Sequence, residues 1–167
     1  MKEVILIRHA KSDWGHEFLK DVDRPLNERG YLDAYLQSEW FALNHAPPDH
    51  IVTSSATRAL STAFIFARQM QLERDHIILE PGIYESSAEN LLSIIQGQAR
   101  SADRIMMFGH NPGFTNLCNE LSEDTYFDNI PTCGIVSLVF DKQWKNIQHK
   151  TGKLNFYRFP KDFKNQD

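Results

Sequence analysis

The chain has 167 residues, 41% of them apolar and 24% charged, and a formal charge of −4. That length suits one domain with its own core, and the acidic balance excludes a broad basic surface for nucleic acid or an anionic membrane. An anionic ligand must be caught by positive charge gathered in a pocket, and no stretch approaches the roughly twenty apolar residues of a membrane span.

The N-terminal MKEVILIRHA is interrupted too soon by charge for a secretory segment, so a cytoplasmic location is the expectation. Val4 to Ile7 is a short continuous apolar run, as in a central strand covered on both faces, and it ends abruptly in Arg8-His9. Residues 11–26 lack periodicity and carry Gly15, Pro25 and several charges, which reads as a loop. From Glu28 the pattern turns helical. Leu32, Tyr35, Leu36, Trp40 and Leu43 mark an apolar face that runs out near Ala46-Pro47-Pro48.

Ile51-Val52 forms a short strand followed by the polar turn Thr53-Ser54-Ser55. A helix over Thr57–Met70 comes next, then a strand at Ile77 to Leu79, a turn at Pro81-Gly82, and a helix marked by Leu91, Leu92, Ile95 and Ala99. Arg104 to Phe108 reads as a strand broken by Gly109-His110-Asn111-Pro112-Gly113, and Phe114, Leu117, Cys118 and Leu121 define a fourth helix. Two further strands, Ile135–Phe140 and Leu154–Phe159, complete a domain over residues 1–160, with 161–167 expected to fray. The two cysteines, Cys118 and Cys133, have no metal or redox spacing and read as buried, reduced thiols.

Strands alternating with helices predict an α/β protein, a three-layer α/β/α sandwich around a mostly parallel sheet. Ligands in such folds bind outside the carboxyl ends of the strands. Three polar clusters fall there: Arg8-His9, Ser54-Ser55 leading to Arg58, and Gly109-His110. Singly, each has a plain structural explanation as a salt bridge, a solvent-facing arginine or a turn. Jointly they put two imidazoles and two guanidiniums at one sheet edge, which suits a phosphoryl group whose peripheral oxygens must be held while bonds change along one axis. The N-terminus of the Thr57–Met70 helix adds backbone N–H groups. Arg8 and Arg58 are expected to keep His9 neutral and nucleophilic, because like charge disfavours imidazolium.

These residues carry a family resemblance. Arg8-His9-Ala10 resembles the R-H-G/A signature of the histidine phosphatase superfamily, whose fold is phosphoglycerate mutase-like. Ser54 to Ala59 with Thr62-Ala63 is similar to that family's S-[SP]-x-x-R-A-x-x-T-A segment, and Gly109 to Gly113 matches its second-histidine turn. Asp23 to Gly30 resembles the R-P-L-[TS]-x-x-G block of the small SixA-type phosphohistidine phosphatases. The likeness implies His9 as nucleophile, and Arg8, Arg58 and His110 as phosphoryl ligands; such a donor set can hold the anion by itself, so no cofactor and no metal are expected. Asn27 stands where the family often has Thr, and Ala10 replaces the commoner Gly and is expected to crowd the pocket floor slightly.

A general acid is the weak point. Ile83-Tyr84-Glu85 loosely resembles the family's L-x-E segment, making Glu85 the candidate and Glu80 the lesser one; an exposed acid before a helix is the competing reading. An alkoxide leaving group needs such an acid, whereas a phosphorylated imidazole departs neutral and needs far less help. The expected substrate is therefore a phosphorylated protein side chain, phosphohistidine first; a small phosphorylated molecule and a non-catalytic phosphate-binding role are the alternatives. Trp14 is expected either at the pocket rim or packed on the domain, and Arg24 either near the mouth or, preferentially, paired with Asp21 or Asp23. His16, His45, His50, His76 and His149 read as surface or loop residues, and no paired metal-ligand spacing occurs.

Overall fold

In the computed structural model, residues 1–163 are described. Six strands, β1 (Lys2–Arg8), β2 (His50–Thr53), β3 (Ile77–Leu79), β4 (Arg104–Gly109), β5 (Ile135–Phe140) and β6 (Lys153–Arg158), form one sheet in the order β3-β2-β4-β1-β5-β6. β3, β2, β4 and β1 run parallel, while β5 and β6 add antiparallel pairings beyond β1. Four helices join them: α1 (Glu28–Asn44), α2 (Thr57–Gln69), α3 (Ala88–Gln96) and α4 (Gly113–Leu121).

The layers follow from strand alternation. Val4 and Leu6 of β1, with Ile105 and Met107 of β4, face a core shared with Leu91 and Ile95 of α3 and Leu117 and Leu121 of α4. Ile5, Ile7, Met106 and Phe108 point to the other face and pack with Phe41 of α1 and Ala63 and Phe66 of α2. Successive side chains on opposite faces, all apolar, are what a sheet covered on both sides requires. Residues Val4 to Ile7 are accordingly fully buried.

One sequence expectation is overturned. The stripe Leu32, Tyr35 and Leu43 on α1 is exposed, and the buried face is instead Gly30, Asp33, Ala34, Gln37, Ser38 and Phe41. The reason is a polar attachment. Gln37 Nε2 donates to the carbonyls of Cys133 and Arg158, at 2.9 and 3.0 Å, stitching α1 to the chain entering β5 and leaving β6. Gly30 fits this close packing, because a Cβ there would sit 2.1 Å from the Lys11 carbonyl oxygen.

At the C-terminal end, Pro160–Phe163 form a 3-10 turn, so the segment expected to fray begins in ordered structure; residues 164–167 lie outside the described residues. Both cysteines are fully buried, and burial pushes both thiols up. Among the described residues, no helix is long and apolar enough to cross a membrane.

Candidate active site

The strand order makes the three polar clusters neighbours. β4 lies between β2 and β1, and Arg8 pairs in register with Gly109. The His9 amide donates to the Gly109 carbonyl at 3.0 Å, and the Ser54 amide donates to the Phe108 carbonyl at 3.0 Å. Three sequence segments tens of residues apart therefore end side by side. Gly109 permits the tight junction, since a Cβ there would lie 2.5 Å from the Phe114 ring and 2.7 Å from Ile83 Cγ2.

Arg8, His9, Arg58 and His110 all line one cavity of about 360 Å³, and Lys11, Ser12, Trp14, Arg24, Asn111 and Thr132 complete its wall. A larger recess of about 580 Å³ lies near Met1, Phe140 and Lys150, at the opposite end of β1, and holds none of the motif residues. His9, Arg58 and His110 are buried, at 7%, 6% and 9% exposure.

His9 is poised by its backbone. Its Nδ1 lies 2.7 Å from the Ala10 carbonyl, which can only accept, so Nδ1 carries the proton and Nε2 presents a lone pair. Arg58 Nε donates toward that lone pair at 3.4 Å. The His9 imidazole is pushed down to about 3, by burial first and then, among the charges, by His110, Arg58 and Arg8. Like charge acts in the expected direction, but desolvation is the larger cause. His110, tilted against His9 with ring centroids 5.2 Å apart, is pushed down to about 4 by burial and by Arg58. Ser54 Oγ holds His110 Nε2 at 2.7 Å, and His110 Nδ1 is buried without a hydrogen-bond partner among the described residues.

Arg58 is anchored from outside. Its Nη1 donates to the Asp21 carbonyl at 2.6 Å and its Nη2 to Asp21 Oδ2 at 3.0 Å. With Nε directed at His9, two of the five guanidinium N–H bonds remain for a ligand. Asp21 also accepts the Tyr84 hydroxyl at 2.6 Å and pairs with Arg24 at 3.0 Å. The Tyr84 hydrogen bond leads the causes that hold this carboxyl well below the ordinary carboxylate range, with Arg58 and Arg24 adding to it. Arg8 Nη1 donates to the Ile130 carbonyl at 3.0 Å, and its Nε is buried without a partner among the described residues.

Arg24 does both things expected of it as alternatives: it pairs with Asp21 and it lines the cavity. Its guanidinium also donates to Ser12 Oγ and stacks 3.5 Å from the centroid of Trp14. Trp14, 76% exposed, is thus a rim residue and not a packed one. Asn27 takes the place of a hydroxyl by capping α1, its Oδ1 accepting from the Gly30 amide at 2.8 Å. Thr62 Oγ1 accepts from the Ala10 amide and donates to the Arg58 carbonyl, tying two motifs together.

Three expectations are not met. Ala10 belongs to the core shared with α1 and α2 and does not line the cavity. Of the first residues of α2 only Arg58 lines the cavity, and neither Ala56 nor Thr57 is in its wall. Glu85 is exposed, has a left-handed backbone (φ 53°) and lies outside the cavity wall, while Glu80 is occupied in accepting from the Gly82 amide at 2.9 Å. Sequence reasoning missed Tyr84 and Thr132, placed Ser12 only within a possible rim loop over residues 11–14, and considered Asp21 only as a partner for Arg24. The one available signal was a run of acids beside Arg24 in an otherwise irregular loop.

A cavity with three guanidiniums, one ammonium and two neutral imidazoles suits a phosphoryl anion. The model of the histidine phosphatase superfamily (branch 1) matches residues 4–112, a span that includes Arg8, His9, Arg58 and His110. The chain belongs to the histidine phosphatase superfamily. This histidine phosphatase is similar in structure to a candidate phosphohistidine phosphatase SixA from Agrobacterium tumefaciens, at TM-score 0.79 and 27% identity, covering 94% of this chain and 97% of that one. It also shares the fold of a protein histidine phosphatase SixA complexed with tungstate, at TM-score 0.82 and 18% identity over 96% and 99% of the two chains. An uncharacterised chloroplastic protein of Arabidopsis thaliana is 29% identical over 157 residues, 86% of this histidine phosphatase and 69% of the relative.

Proposed function

We propose that this histidine phosphatase hydrolyses phosphohistidine on a protein through a phosphorylated His9. The observation that carries the reading is the acid content of the cavity: among the described residues its wall holds no carboxyl group, and the nearby Asp21 is bound by Arg58, Arg24 and Tyr84 and kept ionised. A group held as an anion cannot deliver a proton to a leaving alkoxide.

Phosphoryl transfer between two imidazoles needs no such proton. The His9 Nε2 lone pair attacks phosphorus, the P–N bond of the substrate breaks, and the electron pair leaves on an imidazole that is neutral because its other nitrogen already carries a proton. The bond formed and the bond broken are of one kind, so the step is close to thermoneutral. The Ala10 carbonyl then stabilises the cationic phosphoimidazole through Nδ1–H. Arg8 and Arg58 supply the fixed positive potential, and His110 a neutral imidazole, to hold the peripheral oxygens. Water attacks next, the P–Nε2 bond breaks with its electron pair returning to Nε2, and both protons of the water leave with dihydrogen phosphate.

Rapid quenching with radiolabelled phosphoramidate tests this reading. The expected product is an acid-labile, base-stable label mapping to residue 9 and absent from His9→Ala. Turnover without label, or label on another residue, sinks it, and a strong preference for phosphate esters over phosphohistidine favours a small-molecule phosphomonoesterase.

A further inference from the structure

We propose that a groove leading from His9 past Lys11 and Thr132 to Arg29 and Lys161 receives acidic residues that flank the phosphorylated side chain of a protein substrate. The inference builds on the phosphoprotein reading above but stands on a different observation. The cavity around His9 and a neighbouring recess of about 350 Å³ share Lys11 and Thr132 in their walls, so the two adjoin.

The second recess is basic. Lys11, Arg29 and Lys161 line it against one acid, Asp33, whose Oδ1 accepts from Arg29 Nε at 3.1 Å. Among the described residues, neither Lys11 nor Lys161 makes an ion pair. Two lysines with no ion pair among the described residues stand out in one groove of a chain of net charge −4. Pro131 and Pro160, also in its wall, have fixed φ and little freedom to collapse into the space. A small monophosphate held at His9 leaves the second recess unfilled, whereas a peptide running through both places a neighbouring side chain there. The charge that complements two free ammonium groups is a carboxylate.

Synthetic phosphohistidine peptides flanked by Glu, Ala or Lys test the proposal, with phosphoramidate as the small donor. The glutamate peptide is expected to exceed the lysine peptide in kcat/KM by about tenfold in low salt, a preference that shrinks as salt is raised. Lys161→Glu is expected to cut turnover of the glutamate peptide about fivefold, within the range for an exposed charge pair, to raise that of the lysine peptide, and to leave phosphoramidate unchanged. Lys161→Arg keeps the preference. Equal turnover of acidic and basic peptides overturns the groove, and so does tight competition by a small bisphosphate that Lys161→Glu abolishes. If every phosphohistidine substrate and phosphoramidate are inert while phosphoserine peptides turn over, the phosphohistidine reading fails alone, and the flank preference is then read on the phosphoserine series.

Discussion

Asp21 Oδ2 sits 3.0 Å from Arg58 Nη2, and the same carboxylate oxygen takes the Tyr84 hydroxyl at 2.6 Å. An acid at the start of the 3-10 turn Asp21–Asp23 thereby fixes the outer edge of a guanidinium whose inner edge faces His9. Arg58 can meet phosphoryl oxygens at fixed positions only while that edge is held, since long side chains lose precision when unanchored. Asp21→Asn is expected to lower kcat/KM about tenfold, and Tyr84→Phe by less, both measured on phosphoramidate and alongside inhibition by tungstate. Unchanged inhibition and turnover in Asp21→Asn would confine the residue to holding the loop.

Acid should destabilise the fold through its two buried imidazoles. His9 is pushed down to about 3 and His110 to about 4 from an ordinary 6.5, so below about pH 6.5 the unfolded chain binds more protons than the folded one. Stability is therefore full above that pH and falls as pH drops toward 4, by about 2 kcal/mol for each imidazole at pH 5. Urea unfolding at pH 7 and pH 5 measures this. His9→Gln should halve the pH-dependent part; an equal loss in both proteins would contradict it. The phosphate-free enzyme should likewise keep its nucleophile neutral at pH 5, with an acid limb of kcat/KM well below 6.5.

Gly109→Ala tests the junction of β4 and the His110 turn. The added methyl meets Phe114 and Ile83 inside 3 Å, and both side chains are buried. Overpacking of this kind costs about 1–3 kcal/mol, read as a fall of several degrees in Tm. Activity should fall further than stability accounts for, because His110 follows directly. A variant with native Tm would show that the rings move aside.

Glu85→Gln should leave phosphohistidine turnover within about twofold, since the side chain is exposed and outside the cavity wall. A loss of a hundredfold or more, of the size seen when a general acid is removed, would place Glu85 over the leaving group in the bound state.

The sheet and the four motif residues were legible in the sequence because each depends on local pattern: an apolar run, a polar break, a glycine. The α1 face was not. Leu32, Tyr35 and Leu43 make the better apolar stripe, but Gln37 and its two carbonyl partners decide the orientation, and a hydrogen bond to residues 133 and 158 leaves no local trace. Residues 11–26 were equally opaque. Their order comes from single contacts, the Ser12–Leu26 bridge and the Asp21 ion pairs, with no repeating spacing to betray them. Glu85 illustrates the converse: a motif-like position in sequence whose backbone turns it outward.

The sealed state of Cys118 and Cys133 bears on how the enzyme weathers oxidants. Phosphatases that attack through a thiolate are silenced when peroxide converts sulfur to sulfenic acid. Here both sulfurs are shut away in protonated form within the core, and the attacking atom proposed above is a ring nitrogen. Dephosphorylation through His9 would continue under a peroxide load that stops its sulfur-based counterparts.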